Sequence, residues 1–329
     1  FNQGITRRGS YAAYINISHP EVEEFINMRK TTGGDLNRKC LNLHNAINIT
    51  NAFLSAVSDD AEWRLIDPKT NTAVKIVSAR DLWFQIIQTR METGEPYIVN
   101  IDTCNEALPE EQKKLGLEIK QSNLCSEITL PTNEERTAVC CLSSVNLEYF
   151  DEWSANDTFI SDLVTMLDNV LESFIISVKD KGGYSKAAYS AMRERSIGLG
   201  AMGFHSYLQQ NNIPFESMYA ASFNNKAFSL IKNRANITTR ILGAERGEAP
   251  DMKGSGKRNA HLLAVAPNAS SSIICGGTSP SIEPNRANVY THKTLTGSFK
   301  VRNKYLEKLL VELVSNVEKR EEVWKDIAA

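Results

Sequence analysis

Apolar positions recur along the chain at two periods. A Gly/Arg-rich opening, residues 3–10, leads into Tyr11 to Ile17, where β-branched and aromatic residues predict a strand. After His19-Pro20, the spacing of Val22, Phe25, Ile26 and Met28 predicts a short helix. Ser78-Ala79-Arg80-Asp81 reads as a capping box. It opens a helix with Leu82, Trp83, Ile86 and Ile87 on its apolar side and Gly94 as its stop. Residues 96–101 predict a strand. Phe159, Leu163, Met166, Leu167, Val170, Phe174 and Val178 mark a long amphipathic helix that halts at Gly182-Gly183. Further helices are expected over about 216–242 and 301–325, and a short strand over 262–265. Strands alternating with long helices favour an α/β architecture with parallel strands. Periodicity alone does not distinguish a barrel from an open sheet.

Composition narrows the class. The 329 residues are 42% hydrophobic and 23% charged, ordinary for a globular protein and enough for one large domain or two smaller ones. A net charge of −2 gives no electrostatic reason to expect nucleic acid or an anionic membrane as partner. No apolar run approaches the ~18–20 residues that span a bilayer. The start at Phe1, without Met, and the stop inside a helix-like pattern at 324–329 lead to the expectation of an internal piece of a longer chain. Six cysteines in this length are no disulfide framework, none forms a Cys-x-x-Cys pair, and no metal site is expected. A reducing, cytoplasmic setting follows, where a notable cysteine is either a small buried hydrophobe or a catalytic thiol.

Three segments carry candidate chemistry. In Ser122-Asn123-Leu124-Cys125-Ser126-Glu127-Ile128, the residues Asn123, Cys125 and Glu127 are spaced by two. On extended backbone they would share a face, with Leu124 opposite. That face joins a thiol, a carboxylate able to act as base, and an amide able to hold a hydroxyl or carbonyl. For a lone Cys-x-Glu, an ordinary half-exposed strand is the commoner explanation. In residues 138–147, apolar enough for a strand, Cys140 and Cys141 would point to opposite faces, with redox use and packing equally open for each. In Ala264 to Ile273, a strand-like run enters Pro267-Asn268-Ala269-Ser270-Ser271-Ser272. Its hydroxyls and backbone N–H groups could cradle a phosphate, though a serine run is more often a capped turn.

The order and spacing of these segments, with Ser281-Ile282-Glu283-Pro284 after them, resemble the large subunit of class I (aerobic) ribonucleoside-diphosphate reductases. Thr93-Gly94 through Ile98, Asp102-x-Cys104-Asn105 and Arg195-Ser196-Ile197-Gly198-Leu199-Gly200 fit the same family. The opening loop and Met28 to Gly34 resemble its phage versions.

The resemblance implies a ten-stranded α/β barrel with a central finger loop carrying the active cysteine, and a single catalytic barrel domain over 1–329. It implies that a radical from a separate metal-containing small subunit makes a thiyl at Cys125. Glu127 would take the ribose 3′-hydroxyl proton and Asn123 would bind the ribose. Cys140 would be one member of the reducing pair, its partner lying upstream of Phe1, and Cys141 would be structural. Residues Pro267 to Ser272 would bind the diphosphate, and Gln3, Arg7 and Arg8 would belong to the loop that reads an ATP or deoxynucleoside triphosphate effector. Without the resemblance, Arg7-Arg8 is a solvated basic turn. The family also implies a ribonucleoside diphosphate substrate, thioredoxin or glutaredoxin as reductant, a homodimer of large subunits, and a cytoplasmic location, in the host if phage-encoded. It places an ATP-binding domain and a Cys-rich tail outside this chain, which alone would not turn over.

Three alternatives stand beside this reading. The first is a non-catalytic nucleotide-binding or assembly fragment of a split reductase. The second is a cobalamin-dependent reductase, which usually has Pro before the active Cys and Gly after it. The third is a nicotinamide oxidoreductase, for which Gly198-Leu199-Gly200-Ala201-Met202-Gly203 has the glycine spacing but follows a helix-like stretch.

Overall fold

The structure is a computed structural model and describes residues 2–3, 7–294 and 296–328, without the side chains of Asn2, Gln3, Arg7 and Arg8. In chain order the elements are β1 (Asn2–Gln3), β2 (Arg7–Arg8), β3 (Ala12–Asn16), α1 (Val22–Asn27), β4 (His44–Ile49), α2 (Asn51–Ser58), β5 (Glu62–Asp67), β6 (Thr72–Ser78), α3 (Ala79–Thr93), β7 (Tyr97–Asn100), α4 (Ile101–Glu106) and α5 (Glu110–Lys114). There follow β8 (Cys141–Asn146), α6 (Phe150–Ser154), α7 (Phe159–Val178), α8 (Ser185–Glu194), β9 (Ile197–Met202), α9 (Phe204–Gln210), α10 (Met218–Arg246), α11 (Ser271–Ile274), β10 (Val289–Thr294), β11 (Gly297–Arg302), α12 (Lys304–Leu313) and α13 (Val317–Ala328). The class is mixed α/β with parallel strands, as the alternation predicts. No helix among the described residues is long and apolar enough to cross a membrane.

The chain packs as two compact units, Phe1–Val139 with Lys179–Arg193, and Cys140–Val178 with Glu194–Ala329. In the first, a parallel sheet runs in the order β3-β4-β7, with Asn16 beside Asn48 and Ile49 beside Asn100. Parallel strands need long crossovers, and the connecting helices cover the sheet. Ile17, Val22, Ile26, Ile47, Ile49, Phe53, Leu65, Leu82 and Ile86 form the core. Burying each such side chain is worth about 1.5–3 kcal/mol. The predicted α3 is observed with its cap: Ser78 accepts from Asp81 N at 3.2 Å, and Gly94 closes it in the left-handed region at φ 80°. The antiparallel hairpin β5–β6 carries little periodic signal in the sequence. Its turn forms because Asp67 Oδ1 accepts from Lys69 N and Thr70 N.

In the second unit β8 and β9 pair in parallel, and Leu199 bridges to Leu263 on the other edge of β9. Every residue of β9 is buried. The expected strand over 262–265 is reduced to that bridge. Gly200 is required there, because a Cβ would collide with the carbonyl of Ala264. The long helix α7 occupies the predicted span, but its buried face is Ile160, Val164, Leu167, Leu171, Ile175 and Val178, with Met166 and Val170 exposed. The reason is Asp168, a charged residue in the middle of the inward face that disguises its phase. The helix expected over 301–325 is also corrected. Val301 lies in β11 opposite Tyr290, and the helical stretch divides into α12 and α13. Asn303 caps the first, accepting from Tyr305 N and Leu306 N, and Asn316 accepts from Lys319 N at the start of the second.

Asp168 organises this unit. Its carboxylate accepts from Arg195 Nε at 3.0 Å, Arg246 at 2.9 Å and Asn259 Nδ2 at 3.2 Å, while Arg195 also reaches Glu172 at 2.7 Å. Burial pushes the Asp168 carboxyl up, but Arg195, Arg258 and the donated hydrogen bonds outweigh it and hold the group below the ordinary carboxylate value. The stabilisation it gives is therefore complete above about pH 4 and lost as pH falls through the lower folded value. Asp168→Ala, which strands a buried guanidinium, is expected to cost about 3 kcal/mol, read as a lowered urea midpoint at neutral pH.

Candidate active site

The segment leading to Cys125 is held by amide side chains. Asn105 pairs with the main chain of Ile119 in both directions, at 3.0 and 2.8 Å. Asn48, buried in β4, donates to the Lys120 carbonyl at 2.8 Å. Residues 123–126 then form a tight turn: Ser126 N donates to the Asn123 carbonyl at 3.2 Å, and Ser126 sits at φ 65°.

The backbone here is thus not the extended one on which spacing by two would align the three side chains. Asn123, Cys125 and Glu127 are brought together by a turn, because the Asn123 side chain provides both halves of its closure. Asn123 Oδ1 accepts from Ile128 N at 3.1 Å, and Asn123 Nδ2 donates to Glu127 Oε2 at 2.8 Å. The Ser122 hydroxyl donates to the Ile128 carbonyl at 2.7 Å across the base of the turn. Cys125 stands exposed at the tip.

The electrostatics favour a protonated thiol. Burial and then the charge of Glu127 push the Cys125 thiol above its ordinary value. The shift is away from the thiolate, opposite in direction to that of a nucleophilic cysteine. Tyr97 faces the same place: burial raises its phenol first, followed by the charges of Glu95, Cys125 and Tyr14. Behind it, Glu95 is buried and receives Arg29 Nε at 3.1 Å, His44 Nδ1 at 2.5 Å and Asn45 N at 3.1 Å. Tyr14 and Asn48 were not singled out from sequence, and Tyr97 and Asn105 entered only as parts of family motifs with no role attached. The one available signal is Asn48, a polar residue between two isoleucines in an apolar run.

In the other unit, Cys140 lies just before β8 and Cys141 begins it, both half-buried. Cys141 pairs with Ile197 in the ladder, and burial raises its thiol. Gly198 makes room for Cys140, since a Cβ there would come within 3.2 Å of its sulfur and would strike Leu142 and Ala264. Gly198 and Gly200 are thus explained by packing along a strand, and Gly203 by the left-handed backbone, φ 80°, that leads from β9 into α9.

Residues 267–272 follow as a loop entering α11. Asn268 fixes it, with its N–H donating to the Pro280 carbonyl and its Nδ2 to the Ala266 carbonyl at 2.8 Å. Pro267, Ala269, Ser270 and Ser271 are exposed. Ser272 is turned inward and donates to the Ala269 carbonyl, so only two of the three serines present themselves at the surface. Gln3 pairs with Arg7, and Asn2 with Arg8, through the β1–β2 main chain; the side chains of Gln3, Arg7 and Arg8 lie outside the described residues. Among the described residues no group of three or more His, Cys, Asp or Glu is placed to hold a metal ion.

Glu127→Gln removes one of the two causes that raise the Cys125 thiol. The expected outcome is a lower pH midpoint for Cys125 alkylation by iodoacetamide, followed by peptide mapping. An unchanged or higher midpoint would show that Glu127 does not act on the sulfur.

Known proteins are similar to this chain in both sequence and fold. The family profile "Ribonucleotide reductase, barrel domain" matches residues 1–256 and 248–328. The ribonucleoside-diphosphate reductase large subunit of Invertebrate iridescent virus 3 is 45% identical, the match covering 99% of this chain and 60% of that relative. A Frog virus 3 protein is 52% identical, over 99% of this chain and 57% of its own length. In structure, the Actinobacillus ureae class Id ribonucleotide reductase alpha subunit superposes with a TM-score of 0.83 at 33% identity, over 98% of this chain and 56% of that one. The chain therefore spans about 60% or less of the relatives it matches. On the profile, the sequence relatives and the shared fold together, the chain belongs to the ribonucleotide reductase family.

Proposed function

We propose that the chain is the catalytic domain portion of a class I reductase large subunit, which converts ribonucleoside diphosphates to 2′-deoxyribonucleoside diphosphates for DNA synthesis. The observation that carries this is the turn in which Asn123 holds Glu127 beside the exposed Cys125. Cys125, as a thiyl generated by a separate radical-bearing small subunit, takes the ribose 3′-hydrogen atom and so re-forms S–H. Glu127 accepts the 3′-hydroxyl proton. Asn123 Nδ2 donates to one of the Glu127 carboxylate oxygens. The 2′-hydroxyl departs as water. Two electrons and two protons come from a dithiol that closes to a disulfide, with Cys140 as one member. Cys125 then returns its hydrogen atom to C3′, and similar S–H and C–H bond strengths make that exchange reversible.

In this reading Ser270, Ser271 and the main chain of residues 267–272 bind the diphosphate, and Gln3, Arg7 and Arg8 serve the effector loop for ATP or deoxynucleoside triphosphates. Thioredoxin or glutaredoxin reduces the disulfide, two large subunits pair, and the enzyme works in the cytoplasm.

The test uses the whole protein with its small subunit. Cys125→Ser is expected to lower deoxyribonucleotide formation at least about a thousandfold. Cys140→Ser is expected to abolish turnover driven by thioredoxin while leaving substrate binding intact. Full activity in the Cys125 variant would sink the radical role. A chain that binds nucleotide but supports no reduction in the complete assembly would instead fit a non-catalytic assembly part.

A further inference from the structure

Asn123 closes the Cys125 turn from within, but another side chain ties that turn to the sheet. Tyr14, half-buried on β3, donates its hydroxyl to the Asn123 carbonyl at 2.7 Å, across 109 positions of sequence. The same carbonyl accepts from Ser126 N, and Tyr14 Oη also stands 3.5 Å from Ser126 Oγ. Tyr14 therefore touches the residues on both flanks of the Leu124-Cys125 tip. Ser126 holds φ 65°, a conformation that a residue with a side chain keeps when its surroundings over-determine it.

We infer that Tyr14 is a positioning residue for Cys125, clamping the turn from β3 so that the sulfur is held where the ribose C–H bond must meet it. This rests on the reading of Cys125 as the hydrogen-transferring thiol. Hydrogen transfer is steep in distance, and a misplacement of ~1 Å can lower a rate by about 100-fold. Asn123 and Glu127 remain joined to each other without Tyr14, so substrate binding depends on it less than the position of the sulfur does. The Tyr14 hydroxyl bonds the Asn123 main-chain carbonyl and not its amide side chain, so it acts on the sulfur through the backbone of the turn.

The test is Tyr14→Phe in the complete reductase with its small subunit, a change that keeps the ring and removes one donor. The expected result is kcat lowered about 10- to 100-fold with KM within about twofold, together with faster amide exchange at Ser126 and Ile128 and an unchanged thermal midpoint. Wild-type kcat, or a KM that rises as much as kcat falls alongside a lowered thermal midpoint, would overturn the clamp. Cys125→Ser in the same assay separates the two claims. If it abolishes reduction while Tyr14→Phe is fully active, only the clamp fails; if it leaves reduction intact, the reading of Cys125 fails first.

Discussion

An asparagine side chain offers a donor and an acceptor a few ångströms apart, the same pair a peptide group offers. The candidate site depends on that equivalence. Where a strand ends, its ladder ends too, and the next segment needs other partners for its main chain. Asn48 supplies one for Lys120, Asn105 supplies two for Ile119, and Asn123 supplies one for Ile128 while gripping Glu127. In the second unit Asn146 at the end of β8 accepts from Glu148 N and Thr278, and Asn268 fixes the serine loop. Loops that would otherwise be mobile acquire the definition of a sheet edge without joining the sheet.

The same turn sets the chemistry of its cysteine. A carboxylate close behind a thiol makes thiolate formation costly, and partial burial adds to the cost. A nucleophilic cysteine is ordinarily arranged in the opposite way, beside a cation or a helix N-terminus. The neighbourhood of Cys125 pushes the thiol the other way, with the carboxylate held by Asn123. Burial and fixed geometry also explain the glycines of β9. Gly198 and Gly200 are small because Cys140, Leu142 and the Ala264 main chain already fill the space a side chain would take.

Charge plays a different part in the core of the second unit. Asp168 lies on the inward face of α7, and its cost of burial is met by Arg195, Arg246, Arg258 and Asn259 from three separate stretches of chain. The Arg195-Ser196-Ile197-Gly198 segment thus enters β9 from an anchored position, with Arg195 itself at φ 46°.

By itself the sequence determined the local elements whose signals are contained in a few neighbouring residues. The cap at Ser78, the stop at Gly94, the span of α7 and the alternation of strands with helices are of this kind, because capping, left-handed glycine and 3.6-residue periodicity are short-range effects. The Cys125 segment was also legible, as a motif whose residue types and order identify the family. What the tertiary structure decided were the features that depend on partners far along the chain. The backbone at 123–127 is a turn and not a strand because Asn123 finds Ile128, Glu127 and the hydroxyl of Tyr14. The phase of α7 followed from arginines that neutralise Asp168, and Ser272 turned inward because its hydroxyl found the Ala269 carbonyl. A side chain's choice between solvent and protein is an energy difference between competing partners, and for these residues the winning partner belongs to the folded chain.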